Sequence, residues 1–203
     1  SAASDVYKRQ IQQSSERMKA LVESKAIFLS AEMLQGEDEP YPLLTGMSEI
    51  AGRLAIHQAA MLLTVSEGGK GKLLSGADIV KPATITIVGA GKAGRTAAVF
   101  ARRCGANVNL IVLKEKKLAS LSEQLSDVHV KLYSEDVLKE IMPETDVLIV
   151  AVHSLRRQHD IFIGKDTINL MEQGSVVIDI SVEQTNVVEL SLIHISEPTR
   201  LRR

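Results

Sequence analysis

The most informative stretch is Ala83-Thr84-Ile85-Thr86-Ile87-Val88-Gly89-Ala90-Gly91-Lys92-Ala93-Gly94, followed by Arg95-Thr96-Ala97-Ala98-Val99-Phe100-Ala101-Arg102-Arg103. Residues 83–88 are rich in β-branched side chains and follow Pro82, the pattern of a buried strand. Residues 95–103 carry helical spacing and stop before Gly105. Between them Gly89, Gly91 and Gly94 form G-x-G-x-x-G. A lone G-x-G-x-x-G fits an ordinary tight turn, but between a strand and a helix it has a further use. The first glycine permits the turn, the second lets the backbone approach a pyrophosphate, and the third lets helix and strand pack closely. Free N–H groups and a partial positive charge at the helix start then suit the phosphates. The stretch predicts nucleotide binding.

Downstream, strands and helices alternate. Strands are expected at 107–113, 128–133, 146–152 and 174–180, and helices at 118–125, 135–142 and 165–171. Near-continuous apolar strands separated by helices predict a parallel sheet covered on both faces. Right-handed crossovers make it doubly wound, an α/β sheet of the Rossmann kind, with ligands at the carboxyl ends of the strands. Those ends are Gly89, Val112, Ser134, His153 and Ser181.

Upstream, residues 11–24 have helical spacing and 26–30 read as a short strand. The acidic stretch Gly36-Glu37-Asp38-Glu39-Pro40 reads as a solvated loop, without the histidines that would suggest a metal site. A long helix is expected over 47–63, with Ser48 as its cap and a face of alanines suited to close packing. His57 on this helix is expected to be structural or solvent-facing.

Composition narrows the class. Of 203 residues, 45% are hydrophobic, 24% charged and 3% aromatic, so a soluble globular protein with an aliphatic core is expected. The lone Cys104 excludes an internal disulfide framework and suits a reducing cytoplasm. No apolar run reaches the roughly 20 residues of a membrane helix. A net charge of −1 makes no electrostatic case for nucleic acid.

The two ends stand apart. Residues 1–10 can be back-translated to finish AGATGTGTATAAGAGACAG, and residues 190–200 to begin CTGTCTCTTATACACATCT, its reverse complement. Such strings resemble transposon adapters used to prepare DNA sequencing libraries. Residues 1–10 and 190–203 are therefore expected to be foreign to the fold. The remainder carries 19 basic and 23 acidic residues, a net charge of −4. It is expected to be an interior piece of a longer protein.

Pro42-Leu43-Leu44-Thr45-Gly46-Met47-Ser48-Glu49-Ile50-Ala51-Gly52-Arg53-Leu54-Ala55 resembles the signature of the alanine dehydrogenase and nicotinamide nucleotide transhydrogenase α-subunit family, and is closer to alanine dehydrogenase. Lys81-Pro82-Ala83 into the glycine turn, Gly105-Ala106, Leu132-Tyr133-Ser134 and Gly174 to Ile180 extend the resemblance. It implies a remnant of the catalytic domain at 11–45, a linking helix and loop at 46–80, and a dinucleotide-binding domain at 81–189. It implies NAD-linked oxidative deamination of L-alanine to pyruvate and ammonia by a cytoplasmic homo-oligomer. Carried over by motif, the cofactor-binding residues would be Ser48, Gly89, Ala90, Gly91, Lys92, Ala93, Gly94, Ser134, Val152 and His153.

Three departures qualify that expectation. The family acid that binds the ribose hydroxyls falls at Val112, whose side chain cannot accept a hydrogen bond. Lys114, Lys116 and Lys117 follow, and either favour a 2′-phosphate, hence NADP, or form a solvated helix start. Glu183 stands where the catalytic Asp would be. The apolar loop after the fourth strand becomes His153-Ser154-Leu155-Arg156-Arg157-Gln158-His159-Asp160, an exposed loop or a seat for an anionic substrate. The family's substrate-binding Arg and Lys and its catalytic His lie upstream of the matched residues, so this polypeptide is expected to be inactive alone. Two alternatives stand beside the dehydrogenase: a non-catalytic or regulatory nucleotide-binding module, and an NADPH-dependent opine-type synthase.

Overall fold

Strand β1, Thr84–Val88, lies at the centre of a parallel five-stranded sheet because both of its faces find apolar cover. The computed structural model describes residues 15–25, 27, 34–152, 163–181 and 188. The other strands are β2 (Asn107–Val112), β3 (His129–Leu132), β4 (Val147–Val150) and β5 (Val176–Asp179). The order is β3-β2-β1-β4-β5, with Val88 level with Ile111 on one side and Val150 on the other. The chain therefore reverses its direction of travel across the sheet between β1 and β4. At such a switch point the loops diverge and leave a crevice at the strands' carboxyl ends.

Alternation along β1 sorts its side chains between two cores. Ile85 and Ile87 face the layer containing α3 (Lys92–Arg103) and α4 (Glu115–Gln124), where Ala97, Ala98, Ala101 and Leu121 are buried. Val88 faces the opposite layer, with Leu138 and Ile141 of α5 (Glu135–Ile141), Met142 and Ile163. Each fully buried Ile or Leu contributes about 2 kcal/mol of transfer free energy. Thr86 is buried too, and its hydroxyl pairs at 2.8 Å with Thr145, whose own hydroxyl donates to the Ile141 carbonyl. The expected elements from residue 83 onward are present. The last expected helix is shorter, α6 (Lys165–Ile168), and continues only as turns to Met171.

The chain divides into two compact units between Met47 and Ser48, a boundary inside α2 (Pro42–Leu62). The first unit holds α1 (Ser15–Glu23) and the acidic loop, where Thr45 donates to Glu39 at 2.9 Å. Of the strand expected at 26–30, only Ile27 is described. Contrary to the expectation from sequence, Ser48 does not cap the long helix, because α2 already begins at Pro42. Proline lacks the N–H that a first helical turn leaves unpaired and has the φ a helix needs, so it starts the helix upstream. In the second unit, α2 buries Gly52, Ala55, Ile56 and Ala59. A Cβ at Gly52 would overlap the Ala93 carbonyl oxygen, so this helix rides directly on the start of α3.

The opposite end of the sheet carries an unforeseen ion cluster. Asp146, just before β4, is buried and receives Lys70 Nζ at 2.6 Å, Lys72 Nζ at 2.6 Å and the Thr84 amide at 2.7 Å. Lys70 also meets Glu172 at 2.6 Å, and its amide donates to the Gly174 carbonyl. This pins the loop after α2 to the amino ends of β1 and β4. Burial alone would raise the Asp146 pKa, but hydrogen bonds from Lys70, Lys72 and Thr84 outweigh it and hold the carboxyl below its ordinary 3.8. A depressed folded-state pKa contributes stability that is complete above the unfolded value and is lost as pH falls through the folded one. Asp146→Asn is expected to cost about 3 kcal/mol at pH 7, because it leaves two lysines without their shared counter-charge. Urea unfolding should show that difference shrinking as pH is lowered below about 4, and a pH-independent difference would contradict the assignment.

Candidate nucleotide-binding site

The glycine turn is built from close backbone approaches. Gly89 has φ +106, and a Cβ there would lie 2.5 Å from the Ala151 carbonyl oxygen and 3.3 Å from the Val152 side chain. A Cβ on Gly94 would overlap the Gly89 carbonyl oxygen. Neither position admits a side chain. Gly91 differs: its φ of −74 suits any residue, and a Cβ there would meet no atom within 4 Å. Space is therefore open above the second glycine, where α3 begins and its first N–H groups are unpaired. Gly91 is the N-cap of α3 and makes no side-chain cap, so the arrangement fits a diphosphate received by main-chain donors.

Around that seat the expected residues are distributed unevenly. Ala90 is buried, and Lys92 and Ala93 open α3. Val152, also buried, follows β4 and packs beside Gly89. Ser48 is half-buried on α2, one turn before Gly52 and so on the same face. Since Gly52 lies by Ala93 and His57 by Phe100, with ring centroids 5.2 Å apart, α2 and α3 run in the same direction. One turn back along α2 from Gly52 thus leads past the start of α3, towards the seat.

The outlying positions have other duties. Val112 is fully buried in the core at the end of β2, and its carbonyl accepts from the Tyr133 amide. Lys114, Lys116 and Lys117 are exposed at the start of α4. Ser134 caps α5, its hydroxyl accepting from the Val137 amide at 3.1 Å. His153 and Glu183 lie outside the described residues. At the carboxyl end of β5, Asp179 accepts from both the amide and the hydroxyl of Ser181.

One contact escaped the sequence reading. Glu49 on α2 accepts from Lys92 at 2.7 Å, joining the helix to the glycine turn. No sequence signal pairs residues so far apart. The hydrogen bond and charge of Lys92, with a smaller effect of Arg53, hold the Glu49 carboxyl below its ordinary 4.5.

Residues 55–201 match the family model described as alanine dehydrogenase/PNT, C-terminal domain. The chain belongs to that family. It is 34% identical over 172 residues to an alanine dehydrogenase of Methanococcus maripaludis, covering 84% of this chain and 46% of the relative. It is 37% identical, with the same coverage, to an alanine dehydrogenase of Staphylococcus epidermidis. Among solved structures it resembles an L-alanine dehydrogenase with a TM-score of 0.78 at 31% identity, covering 87% of this chain and 49% of that one. A transhydrogenase from Sinorhizobium meliloti, at 24% identity and TM-score 0.57, shares the fold. The chain thus spans about half the length of the curated relatives it matches. Domains of this family bind NAD(P).

Two glycine substitutions separate seat from scaffold. Gly91→Ala is expected to leave the melting temperature within about 2 °C while weakening NAD or NADP binding about tenfold or more, as its methyl enters the open space. Gly94→Ala is expected to destabilise the fold by about 2 kcal/mol or more, since backbone must move to admit the methyl. Calorimetric titration with each nucleotide and a thermal melt measure both, and unchanged affinity in Gly91→Ala would remove the seat.

Proposed function

We propose that this chain is the dinucleotide-binding part of an alanine dehydrogenase, the whole protein oxidising L-alanine to pyruvate and ammonia. The open space above Gly91, at the switch point of a sheet belonging to this family, carries the reading. Main-chain donors of residues 91–94 hold the diphosphate, and the small residues Gly89 and Ala90 keep the approach clear. Ala151 and Val152 wall the crevice with apolar surface and limit water where hydride moves. Bound NAD(P) supplies the hydride acceptor. Alanine gives up its Cα hydride and an amine proton, and water adds to the resulting imine and expels ammonia. Glu183 is the carboxylate we assign to proton transfer, with Ser48 meeting the cofactor from α2, Val152 and His153 assigned to the nicotinamide side and Ser134 to the adenine side.

The ribose end favours NADP over a strict NAD enzyme. Val112 offers no acceptor to the ribose hydroxyls, while Lys114, Lys116 and Lys117 are exposed cations beside its strand end. The same observation supports a second reading, a nucleotide-binding module without turnover or an NADPH-dependent opine-type synthase. We also propose self-association of the whole protein. On the part of α2 in the second unit, Ile50, Leu54 and Met61 are exposed large apolar residues, and sedimentation of the whole protein reads the outcome.

Following NADH or NADPH formation by the whole protein with L-alanine tests the activity. Reduction dependent on alanine is expected. Nucleotide binding without turnover would favour the module, and condensation of a keto acid with an amino acid would favour the synthase. Lys114→Gln, Lys116→Gln and Lys117→Gln together should weaken NADP about tenfold and leave NAD unchanged, measured by calorimetric titration. Equal losses for both nucleotides would refute the 2′-phosphate role.

A further inference from the structure

The ion pair between Lys92 and Glu49 stands beside the glycine turn, because Lys92 directly follows Gly91. Lys92 is the first residue of α3, immediately after Gly91, and its ammonium is drawn sideways to Glu49 on α2 at 2.7 Å. The two side chains remain 43% and 41% exposed. Ion pairs so open to water are weak, so this one exchanges partners at little cost.

We propose that Glu49 is an internal counter-ion standing in for the dinucleotide's diphosphate: it holds the Lys92 ammonium on α2 until phosphate oxygens compete for it. This inference rests on reading the glycine turn as the diphosphate seat. The competition is unequal. A diphosphate brings two negative charges to the positive end of a helix, against the single charge of Glu49. The lysine's flexible four-carbon stem lets one ammonium serve either partner. Glu49 is not stranded when the lysine leaves. Arg53 and Arg95 line the same groove of about 390 Å³, and Arg53 already helps to hold the Glu49 carboxyl ionised. Arg53 is itself steadied 5.8 Å from the Phe100 ring centroid. Release of Lys92 thus leaves a carboxylate that still feels the charge of Arg53. Binding is thereby tuned by a residue outside the seat.

Calorimetric titration of the full chain with ADP-ribose, which carries the diphosphate without the nicotinamide, tests the proposal. Glu49→Gln is expected to bind about two- to fivefold tighter, because its lysine is no longer engaged. Lys92→Met is expected to bind several-fold more weakly, and adding Glu49→Gln to Lys92→Met should change nothing further. Carbon-13 NMR titration of the Glu49 carboxyl should show its pKa rising towards 4.5 when ADP-ribose is saturating. Unchanged or weaker binding by Glu49→Gln, a gain that persists without Lys92, or a Glu49 titration unmoved by ADP-ribose would each overturn the counter-ion. Circular dichroism melts of these exposed-site variants check that the fold is kept. If no variant, nor the wild type, binds ADP-ribose, the seat itself falls and the counter-ion with it.

Discussion

The approach of two backbone segments, Gly94 against the Gly89 carbonyl, is the constraint on which the rest of this structure depends. It brings the first turn of α3 against the end of β1 with no side chain between them. The alanines of α3 can then lie flat on the sheet, and α2 can settle on α3 through Gly52. A methyl at any of these contacts would have to displace backbone, which cannot yield as a side chain can. The same approach leaves the helix N-terminus pointing into the crevice beside Val152. Structure and binding capacity share one cause.

Polar interactions are placed at the two ends of the sheet and differ in kind. At the amino ends Asp146 is buried and triply bonded, so it fixes the loop from α2 and resists exchange. At the carboxyl ends Glu49 and Lys92 are open to water. Burial raises the cost of leaving a charge unpaired, whereas exposure lets solvent replace either partner. One cluster suits scaffolding, the other suits a site where a charged ligand arrives. Buried Val112 adds a third element, removing the usual hydrogen-bond acceptor from the strand end that would face a ribose.

Much of the fold was legible because its signals are local. β-Branched runs at 84–88, 107–112 and 147–150 alternate with helical segments, and G-x-G-x-x-G joins the first strand to its helix. Helix limits were less legible. Ser48 resembles a cap, yet Pro42 starts the helix earlier, since either residue satisfies the chemistry of a first turn. For the site, Gly89, Gly91 and Gly94 were readable as a group with a separate role for each, because the spacing of the motif is local; the backbone atoms that Gly89 and Gly94 approach were not.

By itself the sequence determined the alternation of elements, the family resemblance and the glycine turn, because each depends on neighbours within a few residues. Tertiary structure alone decided that Gly52 lies under Ala93, that Asp146 collects Lys70 and Lys72, and that Glu49 meets Lys92. These contacts join residues about 40 or more positions apart, and charges and glycines carry no local mark of the partner they will meet. Only the packing of helices on a twisted sheet brings them together.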